Sequence, residues 1–260
     1  MTSPAIKALL LDMDGVLWRG DEPIGDVPAL LERILQHGMQ YAFVTNNATR
    51  TVEQYQEKFR HYGAEVAPEH IHTSARVTAK MLSEQYPDGG RVYIIGERGL
   101  QTALAERGFQ QAESDCLAVV VGLDRELTYA KLRQAALLIQ AGAAFIGTNP
   151  DGNLPSPEGK VPGAGSILAA LQTATGVAPT VIGKPQPALL HSALEQLGVP
   201  PEQALMAGDR LDTDVQAGYN ARCRTALLLS GVATRDQAEA WQPQPDFIEP
   251  DLASLLDKLA

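Results

Sequence analysis

The stretch Leu9-Leu10-Leu11-Asp12-Met13-Asp14-Gly15-Val16-Leu17-Trp18 decides how this chain is read. An apolar run stops at two carboxylates spaced by one residue, and a glycine follows. In an open α/β sheet, ligands bind outside the carboxyl ends of the strands. Strand alternation puts Asp12 and Asp14 on the same side, and the Asp-Gly turn can re-aim the second. Two carboxylates converging there repel each other, so they need a cation, a proton or a chemical task.

Outward from this couplet, strand-like and helix-like runs alternate, the pattern of a parallel sheet with crossover helices. Strands are expected at 6–11, 41–44, 91–95, 117–121, 144–146, 180–182, 204–207, 225–229 and 247–248. Helices are expected at 27–37, from the Thr51 capping box toward 61, from a Ser74 cap to 85, and at 128–140, 166–175, 188–197, 214–219 and 252–259. Residues 148–165, rich in Pro, Gly, Asn and Asp, read as a loop. Polar strand ends cluster in the first 50 residues and again after residue 182. The stretch between has strands and helices of its own, which implies a domain inserted into a discontinuous core. The expected division is 1–78 with 182–260 for a Rossmann-like, doubly wound α/β core, and 79–181 for an α/β insert.

Bulk properties narrow the partners. The 260 residues carry a net charge of −10, which argues against nonspecific nucleic-acid binding and against an anionic membrane surface. No apolar run reaches the roughly 18 residues of a membrane span, and the short N-terminus gives no sign of a signal peptide. Two cysteines, Cys116 and Cys223, lie far apart and outside any CxxC pair, as expected of reduced thiols in a cytoplasmic protein.

Four strand ends carry polar groups: Asp12 and Asp14; Thr45-Asn46-Asn47; Gly183-Lys184-Pro185; and Gly208-Asp209 with Asp212 and Asp214 downstream. Each alone reads as a turn, a cap or an exposed loop. Together they supply one reaction, phosphoryl transfer, which needs an in-line nucleophile, a proton donor for the leaving oxygen and cations on the equatorial oxygens. Asp12 can attack phosphorus and form an aspartyl-phosphate. Asp14 can protonate the leaving oxygen and then activate water. Thr45 and neighbouring amides can hold phosphate oxygens, and Lys184 adds a fixed positive charge. Like charges about 4 Å apart repel by about 4 kcal/mol at an effective dielectric near 20, and one lysine cannot offset Asp12, Asp209 and a phosphate dianion together. A hard divalent cation can, so Mg²⁺ is expected on Asp12, Asp209 and the Asp14 carbonyl.

This ordered set resembles the haloacid dehalogenase-like (HAD) superfamily. Trp18, the Thr-Asn-Asn triplet, Gly-Lys-Pro and Gly147-Thr148-Asn149-Pro150-Asp151 are similar to its NagD-type, 4-nitrophenylphosphatase-like group. The resemblance implies a small-molecule phosphatase with a Rossmann-like core and a cap domain. It implies Asp12 as nucleophile and metal ligand, and Asp14 as acid/base with its carbonyl on the metal. Thr45 and Asn46 would bind phosphate, Lys184 would neutralise charge, and Asp209 would ligate Mg²⁺. Asp214 would stand behind them, orienting a metal water or Lys184. Substrate specificity would fall to the cap loop 149–163, with Asn149, Asp151, Asn153 and Leu154 as candidates, and a homodimer could form through the cap. A phosphomutase or phosphotransferase and a non-catalytic phosphate sensor are the alternatives.

Some motifs carry nothing further. Pro162-Gly163-Ala164-Gly165-Ser166 matches half of a dinucleotide fingerprint, but Leu168 stands at the third glycine position. Gly183-Lys184 is followed by Pro185 where a phosphate-binding loop needs Ser or Thr, and the five histidines form no metal set.

Overall fold

A computed structural model describes residues 5–156 and 158–259, so Pro157 of the expected cap loop lies outside the described residues. The chain forms two compact units. The first takes the chain up to Thr45, then Glu53–His72, then the chain from Lys184 onward; the second takes Asn46–Val52 and Thr73–Gly183. The expected insert, 79–181, falls inside the longer segment of the second unit.

The first unit is built on a six-stranded sheet in the order Phe247–Glu249, Arg224–Leu228, Ala204–Gly208, Ala8–Leu11, Gln40–Thr45, Ile71–Thr73, with the first five strands pairing in parallel. The strand Ala8–Leu11 is wholly buried, which is why its sequence is an unbroken apolar run rather than an alternating one. From this strand the chain builds outward in one direction through Gln40–Thr45, then returns to build the other side from Ala204–Gly208. The strand order therefore reverses beside Ala8–Leu11, and a doubly wound sheet binds ligands at such a reversal. The fold is Rossmann-like α/β, as the alternation of elements predicts.

Local chemistry sets the helices of this unit. Val27–Gln36 starts where the Asp26 side chain accepts a hydrogen bond from the Ala29 amide at 3.0 Å, with Pro28 in the first turn. Its buried Val27, Leu30, Leu31 and Ile34 recur at helical spacing. Ala188–Leu197 buries Leu189, Leu190, Ala193, Leu194 and Leu197, and ends at Gly198 in the left-handed region, φ 65°.

The second unit has a five-stranded parallel sheet in the order Thr180–Val181, Ala144–Gly147, Ala118–Val121, Gly90–Ile95, Phe109–Gln111. Its core joins Ile95, Val119, Val121 and Phe145 from the sheet to Leu138, Ile139, Ile167, Leu168 and Leu171 from helices Tyr129–Gln140 and Ala164–Thr175.

Three local expectations are corrected. Thr73, not Ser74, caps the helix Ser74–Gln85 by accepting from the Arg76 amide at 3.2 Å; Ser74 is the first helical residue and donates to the Asn46 carbonyl at 2.6 Å. Residues 148–165 are not all loop: Asn153–Ser156 and Gly159–Pro162 pair as an antiparallel ribbon. Pro155 and Pro162 hide it in the sequence, and a two-stranded ribbon tolerates them because each strand is an edge. A helix at Arg98–Ala105, a strand at Phe109–Gln111 and the small ribbon Trp18–Arg19 with Glu22–Pro23 were not expected. The helix buries Gly99, Leu100, Ala103 and Leu104 at helical spacing, whereas the strand and the ribbon are too short to show a period, and Phe109 is the one buried residue of its strand. No described helix is long and apolar enough to cross a membrane.

Candidate active site

Register brings the polar strand ends of the first unit together. Leu11 lies opposite Ala207 on one side and Phe43 on the other. The next residue, Asp12, donates its amide to the Ala207 carbonyl at 2.9 Å, beside Gly208 and Asp209. The ammonium of Lys184 lies 2.7 Å from Asp12 Oδ1, 2.6 Å from Asp214 Oδ1 and 2.9 Å from the Val44 carbonyl. Asp12, Asp209, Asp214 and Lys184 are all buried, Lys184 to 2 % exposure. Asp214 sits in a π-helical turn, Leu211–Val215, that leads into the helix Gln216–Asn220. Its other oxygen accepts from the Arg210 amide at 3.0 Å. Asp212, by contrast, is exposed and pairs with Arg210.

The electrostatics follow from burying three carboxylates with one ammonium. Burial pushes the Asp12 carboxyl well above the usual carboxylate range; Lys184 pulls it down, while Asp214 and Asp209 push it further up. Burial and then the charge of Asp214 push Asp209 up to about 7, against the hydrogen bond from the Val232 amide. Burial works against the Lys184 ammonium, but the charges of Asp12 and Asp214 outweigh it and hold its pKa above the ordinary lysine value. One oxygen each from Asp12, Asp209 and Asp214 lies within 4.8 Å of the others. This set carries more negative charge than Lys184 offsets. Oxygen ligands and surplus charge are what a hard divalent cation requires, so the residues fit one. Because both oxygens of Asp214 are engaged by Lys184 and the Arg210 amide, its arrangement is that of a partner holding the lysine.

Asp14 stands apart from this buried group. Its side chain is exposed, and Oδ1 accepts a hydrogen bond from the Trp18 indole at 2.8 Å. Gly15, with φ 87°, makes the turn between them, and a Cβ there would run into the Asp209 carboxylate as well as straining the backbone. The segment Ser230-Gly231-Val232, outside the four polar strand ends, closes this side. Ser230 Oγ donates to the Gly15 carbonyl at 2.7 Å, Arg19 donates through Nε to the Ser230 carbonyl at 2.7 Å, and the Val232 amide donates to Asp209 Oδ2 at 2.8 Å. A Cβ on Gly231 would overlap the Asp209 carboxylate. The signal was available: Ser-Gly just after the strand Arg224–Leu228 is a fifth polar strand end.

Thr45 closes the strand Gln40–Thr45 and is buried. The next residue, Asn46, already belongs to the second unit. There its side-chain Nδ2 donates to Asp151 Oδ2 at 3.2 Å, and its backbone carbonyl accepts from Asn149 Nδ2 at 2.8 Å and from Ser74. Asn149 is buried, and its Oδ1 accepts from the Asp151 amide. The Asn149 side chain is thus spent on holding this corner of the chain. Asp151 and Leu154 are half-buried and Asn153 is exposed; Asn153 and Leu154 lie on the antiparallel ribbon.

Comparison with known proteins agrees with the geometry. A family model described as haloacid dehalogenase-like hydrolase matches residues 9–110, and one described as HAD-hydrolase-like matches residues 181–255. The chain belongs to the haloacid dehalogenase-like hydrolase family. Residues 111–180, within the second unit, lie outside both matches. An acid sugar phosphatase of Staphylococcus aureus is 38% identical over 254 residues, 97% of this chain and 98% of that protein. The 4-nitrophenylphosphatase of Thermotoga maritima superposes with a TM-score of 0.93 at 35% identity, covering 98% of each chain. NagD of E. coli K-12 superposes with a TM-score of 0.89 at 30% identity, covering 96% of this chain and 98% of NagD. Within the HAD family the chain is of the NagD type.

Proposed function

We propose that this HAD-family hydrolase is a Mg²⁺-dependent phosphatase of small soluble phosphomonoesters, acting through an aspartyl-phosphate on Asp12. The observation that carries the reading is the buried meeting of Asp12, Asp209 and Asp214 with the Lys184 ammonium at the carboxyl ends of parallel strands. Asp12 Oδ attacks phosphorus, and the bond from phosphorus to the leaving oxygen breaks. That oxygen takes the proton of the Asp14 carboxyl. Asp14, now a carboxylate, takes a proton from water as the water oxygen attacks the phosphorus of the acyl-phosphate. Inorganic phosphate leaves, Asp12 is again a carboxylate and Asp14 is again protonated. Lys184 holds Asp12 in place and offsets charge, Asp214 holds Lys184, and Thr45 with Asn46 contributes hydrogen bonds to phosphate oxygens. Asp12, Asp209 and the Asp14 carbonyl would hold Mg²⁺, which when bound neutralises charge on the phosphate oxygens.

Substrate choice falls to the second unit, with Asp151, Asn153 and Leu154 as the candidate specificity residues. Sugar phosphates head the substrate range, supported by the acid sugar phosphatase relative; nucleoside monophosphates are the next class. The reduced Cys116 and Cys223 fit a cytoplasmic enzyme. The test is phosphate release from a metabolite panel and from 4-nitrophenyl phosphate, with Mg²⁺ and with EDTA. Turnover that needs Mg²⁺ supports the reading; none on any phosphomonoester sinks it. Replacing residues 153–162 by a short Gly-Ser turn, which leaves Asn149 and Asp151 in place on Asn46, should change the ranking of the panel more than the rate on the aryl ester, and an unchanged ranking removes the ribbon from specificity.

A further inference from the structure

The indole of Trp18 is fully buried, yet its one polar atom donates to Asp14, an exposed side chain. The ring has no freedom to choose another partner. Phe59 meets it edge-on with centroids 5.2 Å apart, and Tyr62 lies 5.7 Å away. Lys58 Nζ lies 4.4 Å above the ring and donates to the Gly20 carbonyl at 2.7 Å, at the tip of the Trp18–Arg19 ribbon. The Gly15 amide donates to the Trp18 carbonyl at 2.7 Å, so the loop carrying Asp14 folds back on Trp18 through its backbone as well.

We propose that Trp18 is a positioning residue for proton transfer: the packed indole N–H fixes the Asp14 carboxyl where it meets the leaving oxygen. The inference rests on the acid/base role of Asp14 proposed above. An exposed carboxyl on a glycine turn samples several rotamers. A hydrogen bond from a rigid donor at Oδ1 selects one of them and leaves Oδ2 to carry the proton. Buried tryptophan commonly finds a partner for its N–H; here the partner is the carboxyl proposed as general acid.

The test uses leaving-group dependence, which loss of packing alone does not change. A sugar phosphate expels an alkoxide that needs a proton, whereas 4-nitrophenolate leaves with little help. The quantity read is kcat/KM, which covers the steps through departure of the leaving group. Trp18→Phe keeps an aromatic ring and removes the N–H. It should lower kcat/KM on the sugar phosphate about 10-fold or more and on 4-nitrophenyl phosphate only about 2-fold, because a misaimed general acid forfeits part of its 10²–10⁴ contribution. Asp14→Asn should show the same selectivity more strongly, and adding Trp18→Phe to it should cost nothing further on the sugar phosphate. If Trp18→Phe does not fold, benzothienylalanine at position 18 keeps the bicyclic shape without the donor. Equal losses on both substrates, or no loss, while Asp14→Asn remains selective would overturn the positioning role alone. No selectivity in Asp14→Asn would remove the acid/base role, and the role of Trp18 would go with it.

Discussion

Replacing Lys184 by methionine keeps an unbranched side chain one atom shorter and deletes a buried charge. In the folded protein the ammonium touches Asp12 Oδ1 at 2.7 Å and Asp214 Oδ1 at 2.6 Å, with the lysine side chain 2 % exposed. Each contact amounts to about 6 kcal/mol of attraction at an effective dielectric near 20, and the desolvation of the ammonium offsets several kcal/mol of the pair. The intact cluster is therefore near balance. Losing the lysine is not, because Asp12 and Asp214 would face each other with Asp209 beside them. Breaking one side of a buried ion pair costs about 3–5 kcal/mol, against a total stability of about 5–15 kcal/mol for a typical domain. The loss should depend on pH. Burial already pushes the Asp12 carboxyl above its unfolded value, and removing Lys184 removes the main opposing influence. A carboxyl that holds its proton more tightly folded than unfolded is harmless below the unfolded pKa. It destabilises progressively as pH rises from there through the folded pKa. Urea melts in EDTA should show Lys184→Met short of wild type by about 3–5 kcal/mol at pH 8 and by less at pH 5, and phosphate release assayed separately with Mg²⁺ should be lost at both. A variant as stable as wild type at pH 8, with turnover retained, would refute the charge-balance argument.

Two further outcomes follow from the same geometry. Gly231→Ala places a methyl group against the Asp209 carboxylate, so it should raise the Mg²⁺ concentration needed for half-maximal phosphate release about tenfold or more, the scale seen when a residue supporting a metal ligand is lost; an unchanged Mg²⁺ titration would show that the loop yields. Burial pushes the Cys223 thiol up to about 12, so the thiolate is scarce at pH 8.5 and appears only as pH climbs toward that value. Iodoacetamide at pH 8.5 should label Cys223 only after urea is added, and rapid labelling of the native protein would contradict this.

Much of the fold was readable because parallel strands buried on both faces leave unbroken apolar runs, such as Leu9–Leu11 and Ala204–Ala207, that end abruptly in charge. The site was readable for the same reason: Asp12, Thr45, Lys184 and Asp209 each interrupt or follow such a run. What escaped lacks that contrast. The ribbon Asn153–Ser156 with Gly159–Pro162 is written in prolines, glycine and lysine. The strand Phe109–Gln111 rests on a single buried side chain. Asn149 carries a polar group usable by a ligand, but three-dimensional closure onto Asn46 and Asp151 engages it within the chain. The link between Trp18 and Asp14 depends on where a glycine turn with φ 87° sends the chain, which no spacing rule encodes.

The claim beneath all of this is that the carboxylate of Asp12 bonds to phosphorus. Acid quenching during turnover of a phosphomonoester, followed by peptide mass spectrometry, tests it directly. The account predicts a hydroxylamine-labile phosphoryl adduct on the peptide Ala8–Arg19, located at Asp12 by fragmentation and absent from Asp12→Asn. Turnover without any adduct, or an adduct on a different residue, would contradict it.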